Sequence, residues 1–212
     1  MTGGLFEHQG TTLLFPTPLL TYQVAGAAQI NALLLQEVEL RKVRDPNVSR
    51  SGRNGWHSRV DFFTRTEPGH RALGAAIRGA VEDATIRLSG DASFFQRVNY
   101  RINGWINVNP QHAYNVPHDH PGSYWSGCYY AAIARAEEGG GAISFIDPRC
   151  APTGQAMVRA EVFSGAHSVV PAPGMLLLFP GNAKHWVHPN EAETERVTVA
   201  FNVAFGGAGQ GG

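Results

Sequence analysis

The sequence has few cysteines, no excess of charge of either sign and no long hydrophobic run. Two cysteines, Cys128 and Cys150, do not make a disulfide framework, so we expect free thiols in a reducing cytoplasm. Basic and acidic residues number 17 each, which provides no overall positive field for nucleic acid. No segment approaches the roughly 18 apolar residues of a membrane span. Residues 1–8 also lack the basic and apolar regions of a signal peptide, so we expect a soluble, cytoplasmic protein.

The composition is that of a globular protein, with 43% hydrophobic and 16% charged residues. The 212 residues are enough for one domain with a sizeable core, and no repeat or Pro-rich linker divides them. We therefore predict a single domain over residues 1–212. It would comprise a helical support region over about 1–95, a β-rich core over about 96–205 and a Gly-rich tail at 206–212.

Two amphipathic patterns predict helices over residues 31–44 and 68–88, and a polar loop is expected between them at 49–56. From Gln96 onward, apolar residues alternate with polar ones, which is typical of strands. Strands are predicted near residues 102–108, 123–134, 142–146, 157–163, 167–170, 175–179, 184–187 and 196–205. Short strands with regular turns predict a mainly β sandwich or barrel with the helices packed on one face.

Three histidines in two short segments form a candidate metal site. His118 and His120 would point the same way on an extended strand, while Asp119 would point the other way. His185 lies far enough along the chain for other strands to bring it back to the pair. Three protein ligands leave positions open on an octahedral ion, but imidazole suits iron, zinc, copper and nickel alike. The histidines therefore predict an open metal site without selecting its metal.

The segment PHDHPGSYWSGCYY at residues 117–130 resembles the iron-ligand region of a family of 2-oxoglutarate/Fe(II)-dependent oxygenases. The same resemblance extends to further stretches, at residues 14–18, 55–58, 104–108, 141–149, 173–180, 185–190 and 195–202. It covers nearly the whole chain and is most specific in the C-terminal half. The resemblance implies a double-stranded β-helix (a jelly-roll or cupin-like barrel) with N-terminal helices, which binds Fe(II) and uses 2-oxoglutarate and O₂.

The resemblance implies that His118, His120 and His185 are the catalytic iron ligands. In the wider superfamily the first pair is His-x-Asp or His-x-Glu, so His120 stands where a carboxylate is usual. Asp119 and His188 remain alternative ligands.

Arg196 and Thr198 resemble the Arg-x-Ser/Thr element that holds the far carboxylate of 2-oxoglutarate. Alternation places both on one strand face, where a guanidinium fork and a hydroxyl suit a carboxylate. The alternative is an exposed strand arginine paired with Glu193 or Glu195. Further polar candidates for the co-substrate pocket are Asn107, Ser126 and Tyr130, together with Tyr114 and Asn202.

The predicted function is therefore an Fe(II)- and 2-oxoglutarate-dependent dioxygenase that hydroxylates an unknown small molecule or peptide. Two alternatives stay open: a three-His iron dioxygenase that does not use 2-oxoglutarate, and a non-catalytic cupin-like protein that binds a metal or a small acid. An open sheet edge or an apolar helix face could also pair two copies in a homodimer.

Overall fold

The computed structural model describes residues 7–48, 51–134, 139–149 and 164–207. The two predicted helices are confirmed as α1 (Ala27–Arg44) and α2 (Pro68–Ser89), and a short α3 (Phe94–Arg97) follows them. α1 begins earlier than predicted, directly after Gly26, and α2 has Pro68 in its first turn and ends at Gly90. Both glycines have φ of 67°, in the left-handed region that glycine enters at little cost. No helix in these described ranges is both long enough and apolar enough to cross a membrane.

Within the described residues, eleven strands pair antiparallel to form two sheets. The strands are β1 (Leu20–Gln23), β2 (Gly52–Arg53), β3 (Trp56–His57), β4 (Val98–Asn109), β5 (Tyr114–His118), β6 (Trp125–Ala132), β7 (Ile143–Ile146), β8 (Ala166–Val169), β9 (Met175–Pro180), β10 (His185–Val187) and β11 (Arg196–Gly207). The large sheet has the order β1-β9-β6-β11-β4-β3, and the small sheet has the order β2-β5-β10-β7-β8. Two sheets with this crossing order form a double-stranded β-helix, which confirms the predicted fold.

Most predicted strands are confirmed with small shifts at their ends, and the strand predicted at 157–163 lies outside the described residues. The predicted loop at 49–56 instead contributes two edge strands. β2 pairs with β5, and β3 pairs with β4. Each has two residues, which is too short for alternation to appear in the sequence.

The helices cover one face of the large sheet, and alternation along β11 separates two environments. Val197, Val199, Phe201 and Val203 belong to the apolar core shared with α1 and α2. A second apolar cluster joins the two sheets and contains Cys128, Tyr130, Ile143, Leu177 and Phe179. Cys128 is a buried, free thiol. The polar residues of β11 that alternate with the core residues therefore face the space between the sheets.

α1 and α2 meet closely at Gly69, in the first turn of α2. The Glu37 carboxylate of α1 accepts hydrogen bonds from the backbone N–H groups of Gly69, at 2.7 Å, and His70, at 3.0 Å. It thereby supplies acceptors that the N-terminal turn of a helix lacks. A Cβ atom at Gly69 would lie 2.6 Å from the backbone nitrogen of Leu34. A side chain at this position would force the two helices apart.

We predict that Gly69→Ala lowers the free energy of unfolding by about 2 kcal/mol, because overpacking a close contact costs roughly 1–3 kcal/mol. Gly79→Ala in the same helix is the matched control, since a Cβ there meets nothing within 4 Å. Because alanine has a higher helix propensity than glycine, Gly79→Ala should raise the free energy of unfolding by about 0.5–1 kcal/mol. Urea denaturation of both variants checks the prediction, and equal stabilities would contradict the close contact.

Candidate metal centre and anion pocket

The three predicted histidines converge between the sheets. His118 ends β5 and is paired in register with His185, which begins β10. His120 lies two residues beyond β5, where its backbone N–H donates to the carbonyl oxygen of Gly181 at 2.8 Å. One ligand atom from each ring lies within 4.8 Å of those of the other two. That spacing lets one ion contact all three imidazoles after small side-chain rotations, so the residues fit a metal site.

Backbone carbonyls fix the orientation of two of the rings. Nδ1 of His118 donates to the carbonyl oxygen of Val116 at 2.7 Å, and Nδ1 of His185 donates to that of Ala183 at 2.8 Å. A carbonyl oxygen can only accept, so each Nδ1 carries the proton and each Nε2 keeps a free lone pair. This is the tautomer that a metal-binding histidine with an Nδ1 contact requires.

Burial also keeps two of the rings neutral. It lowers the pKa of His120 to about 4, and repulsion from His118 adds to the effect. Burial likewise lowers the pKa of His185 to about 3, with smaller contributions from His118 and His120. Both imidazoles are therefore uncharged at neutral pH and can donate lone pairs to a cation.

Neither alternative ligand joins this cluster. In the described part of the chain, the group that can hold a metal consists of the three histidines and does not include Asp119 or His188. The His188 ring instead contacts the Ser144 hydroxyl, at 2.7 Å between Nε2 and Oγ.

The Arg196 guanidinium is buried next to the histidine cluster. The residue is 1% exposed, and its Nε and Nη2 atoms have no hydrogen-bond partner, while Nη1 is 3.5 Å from Thr198 Oγ1. The Tyr130 hydroxyl is also buried without a partner, and its ring lies 5.2 Å from the guanidinium carbon. A buried, unpaired charge is costly, so these donors indicate a site for an anion. The alternative of an exposed arginine paired with Glu193 or Glu195 is wrong, because Arg196 is buried and the Glu195 carboxylate binds Lys42.

The other predicted pocket residues divide into two groups. Asn107 lines the cavity between the sheets, together with Thr198 and Arg196. Ser126, whose Oγ donates to Asn202 Oδ1 at 2.7 Å, is not among the residues that line the cavity. The same holds for Tyr114, Tyr130 and Asn202.

Ser51, Trp105 and Asn115 are among the lining residues that were not predicted from the sequence as parts of a pocket. Trp105 is stacked on His57, with ring centroids 5.6 Å apart. Its place on β4, in register with Ala200, puts it on the inner face of the large sheet. The alternation of β4 could have indicated that placement, whereas Ser51 gives no comparable sequence signal.

Comparison with solved structures establishes the same fold in several proteins. A prolyl-4-hydroxylase from Pseudomonas putida is 16% identical, with a TM-score of 0.62, over 88% of this chain and 91% of its own. A non-heme alpha-ketoglutarate-dependent epimerase of nogalamycin biosynthesis is 13% identical, with a TM-score of 0.63, over 92% of this chain and 84% of its own. HygX from Streptomyces hygroscopicus, solved with nickel and 2-oxoglutarate bound, is 12% identical, with a TM-score of 0.58, over 89% of this chain and 83% of its own. No curated protein sequence matches the chain.

A family model identifies the core of the sequence. Residues 103–202 match the model described as "Putative 2OG-Fe(II) oxygenase". This segment contains the three clustered histidines as well as Arg196 and Thr198, and it spans strands β5–β10 with parts of β4 and β11. Residues 103–202 are thus similar to a family of oxygenases, enzymes that use Fe(II) and 2-oxoglutarate.

Proposed function

We propose that this protein is a dioxygenase that hydroxylates a small molecule or peptide with Fe(II), 2-oxoglutarate and O₂. The observation that carries the proposal is the position of an unpaired, buried guanidinium in the same cavity as three convergent imidazoles. The three imidazoles suit a cation, and the guanidinium suits a carboxylate. 2-Oxoglutarate has a keto-acid end that can chelate a metal and a second carboxylate that can reach the arginine.

His118, His120 and His185 would hold the metal. The lowered pKa values of His120 and His185 suit these rings to a divalent ion, and three ligands leave positions for the co-substrate and O₂. Bound Fe(II) would supply the redox chemistry, in which one atom of O₂ enters succinate as 2-oxoglutarate loses CO₂ and the other is inserted into a C–H bond of the substrate.

Arg196 would bind the distal carboxylate of 2-oxoglutarate through its two unpartnered nitrogens, which form a planar fork. Thr198 contacts the remaining nitrogen and steadies the fork. The Tyr130 hydroxyl offers a third donor. Burial raises the pKa of Tyr130 well above its usual value, so the phenol stays protonated and can donate.

The rest of the cavity would receive the substrate. Outside the histidines and Arg196, its described lining includes the Trp105 ring, apolar side chains such as Ile143 and Phe179, and uncharged polar groups from Ser51, Asn107 and Asn115. These groups can hydrogen-bond a polar substrate and position one of its C–H bonds near the metal. The role of the chain is to set this geometry and to exclude water.

We predict that His185→Ala weakens Fe(II) binding at least about 100-fold, since even losing a residue that only supports a metal ligand costs 10–100-fold. His188→Ala is the matched control, because that ring lies nearby in sequence but outside the cluster. Anaerobic equilibrium dialysis against Fe(II) measures both, with thermal unfolding to verify folding. If both variants bind Fe(II) equally well, the three-His site is refuted.

We also predict that Arg196→Ala weakens 2-oxoglutarate binding about 100-fold. Truncating one partner of a buried charge pair costs roughly 2–5 kcal/mol, and 1.4 kcal/mol corresponds to a tenfold change. The measurement is the visible absorbance that develops when 2-oxoglutarate is added to the Fe(II)-loaded protein without oxygen. The exposed Arg87→Ala is the control.

Succinate production in air completes this test. The wild-type protein should form succinate from 2-oxoglutarate, and Arg196→Ala should do so only at much higher co-substrate concentrations. A wild-type protein that binds Fe(II) but neither develops the absorbance nor forms succinate would favour a three-His dioxygenase that does not use 2-oxoglutarate, or a non-catalytic binding protein.

A further inference from the structure

We propose that Asn202 is a positioning residue that sets the tautomer of His120, and that Ser126 orients Asn202 for this task. In the metal-free protein His120 would carry its proton on Nε2, the opposite of His118 and His185. Metal binding through Nε2 would then require the proton to move to Nδ1 and the Asn202 amide to turn over. The inference rests on the proposed function, because it treats His120 as a metal ligand.

The three histidines differ in what contacts their Nδ1 atoms. Backbone carbonyls accept from Nδ1 of His118 and His185, which leaves one possible tautomer for each neutral ring. Nδ1 of His120 is instead 3.4 Å from Nδ2 of Asn202. An amide nitrogen can only donate, so Nδ1 of His120 must accept and the ring proton must lie on Nε2.

The orientation of the Asn202 amide follows from its other contact. Asn202 on β11 is paired in register with Ser126 on β6, and the Ser126 hydroxyl donates to Asn202 Oδ1 at 2.7 Å. Ser126 is 1% exposed, so no bulk water competes for this hydrogen bond. With Oδ1 held by Ser126, the amide nitrogen is the end that faces His120.

The hydrogen-bond donor and acceptor roles in these contacts can be exchanged. A serine hydroxyl can accept as well as donate, and an amide offers a donor at one end and an acceptor at the other. If the amide turned over, Oδ1 would accept from Nδ1–H of His120 and Nδ2 would donate to Ser126. Both contacts would be kept and Nε2 would be freed for a metal, but the Ser126 hydroxyl proton would lose Oδ1 as its acceptor. Ser126 therefore favours the orientation in which the amide nitrogen faces His120. The His120 ring stays neutral in both arrangements, because only the position of its proton changes.

The contact with His120 is weak enough to permit this exchange. At 3.4 Å it is longer than the usual N–H donor distance, whereas the backbone contacts of the other two rings are close to ideal. The tautomers of His118 and His185 thus already leave Nε2 free for a metal. The tautomer of His120 depends instead on the side chains of Asn202 and Ser126. Asn202 and Ser126 therefore govern the final step in assembling the site.

The test is two-bond ¹H–¹⁵N correlation NMR of the metal-free full chain labelled with ¹⁵N-histidine, which distinguishes the two tautomers of each ring. We expect Nε2–H for His120 and Nδ1–H for His118 and His185. Asn202→Asp, which can only accept, should convert His120 to Nδ1–H, and Asn202→Ala should give a mixture. Finding Nδ1–H for His120 in the wild type, or an unchanged tautomer in Asn202→Ala, would overturn the proposal.

Two further variants keep the result interpretable. Ser126→Ala frees the amide to rotate and should also give a mixture at His120, which provides a second test if the Asn202 variants do not fold. Asn103→Ala is the matched control. Asn103 is exposed and lies opposite Asn202 on β4, so its removal should leave all three tautomers unchanged. A tautomer change in Asn103→Ala would show that the effect is not specific to Asn202.

Calorimetric titration with Ni(II) alone separates this inference from the proposed function. Asn202→Asp should bind Ni(II) about tenfold more tightly than the wild type, in the range typical of residues that support metal ligands. Equal affinities would count against the positioning role. If the wild type binds no Ni(II), the proposed metal site fails, while the NMR result still decides whether Asn202 sets the His120 tautomer.

Discussion

Alternation of side chains along β11 is the constraint on which both the core and the site depend. One face of this strand presents Val197, Val199, Phe201 and Val203 to the helices. The other face presents Arg196 and Thr198 to the cavity and Asn202 to His120. A slip of one residue in the pairing of β11 would bury the polar set against the helices and expose the valines to the cavity. The apolar core therefore fixes the register that places the site residues, so stability and function are coupled in one strand.

The site is divided between the two sheets, and this division determines how its parts are held. The small sheet positions His118 and His185, which are paired across β5 and β10, whereas the large sheet supplies Arg196 and Asn202. The second apolar cluster joins the sheets, and the Phe179 ring of the large sheet lies 4.9 Å from that of His185. Packing between the sheets thus sets the distance between the histidine cluster and the Arg196 guanidinium.

The parts of the molecule that could be predicted from the sequence are those with a repeated or chemically distinctive pattern. Long strands show alternation, amphipathic helices show their own period, and the histidines and the Arg-x-Thr element resemble a known family. The two-residue strands β2 and β3 were missed because pairing with longer partners, rather than their own pattern, makes them strands. The contact between Ser126 and Asn202 was also missed, because it depends on a register that only the assembled sheet defines.

The uncharged ligand set has a consequence for the electrostatics of the cavity. Neutral imidazoles would leave the full charge of a divalent ion uncompensated, and the Arg196 guanidinium would add a further positive charge in a buried space. A dicarboxylate entering the cavity cancels only part of this charge. Under the proposed function, succinate would keep the distal carboxylate of 2-oxoglutarate, and its second carboxylate would form from the keto carbon as CO₂ leaves. Both compounds are dianions, so the field that attracts one also retains the other. We therefore expect product inhibition by dicarboxylates to be an intrinsic property of a site built from three histidines and a buried arginine.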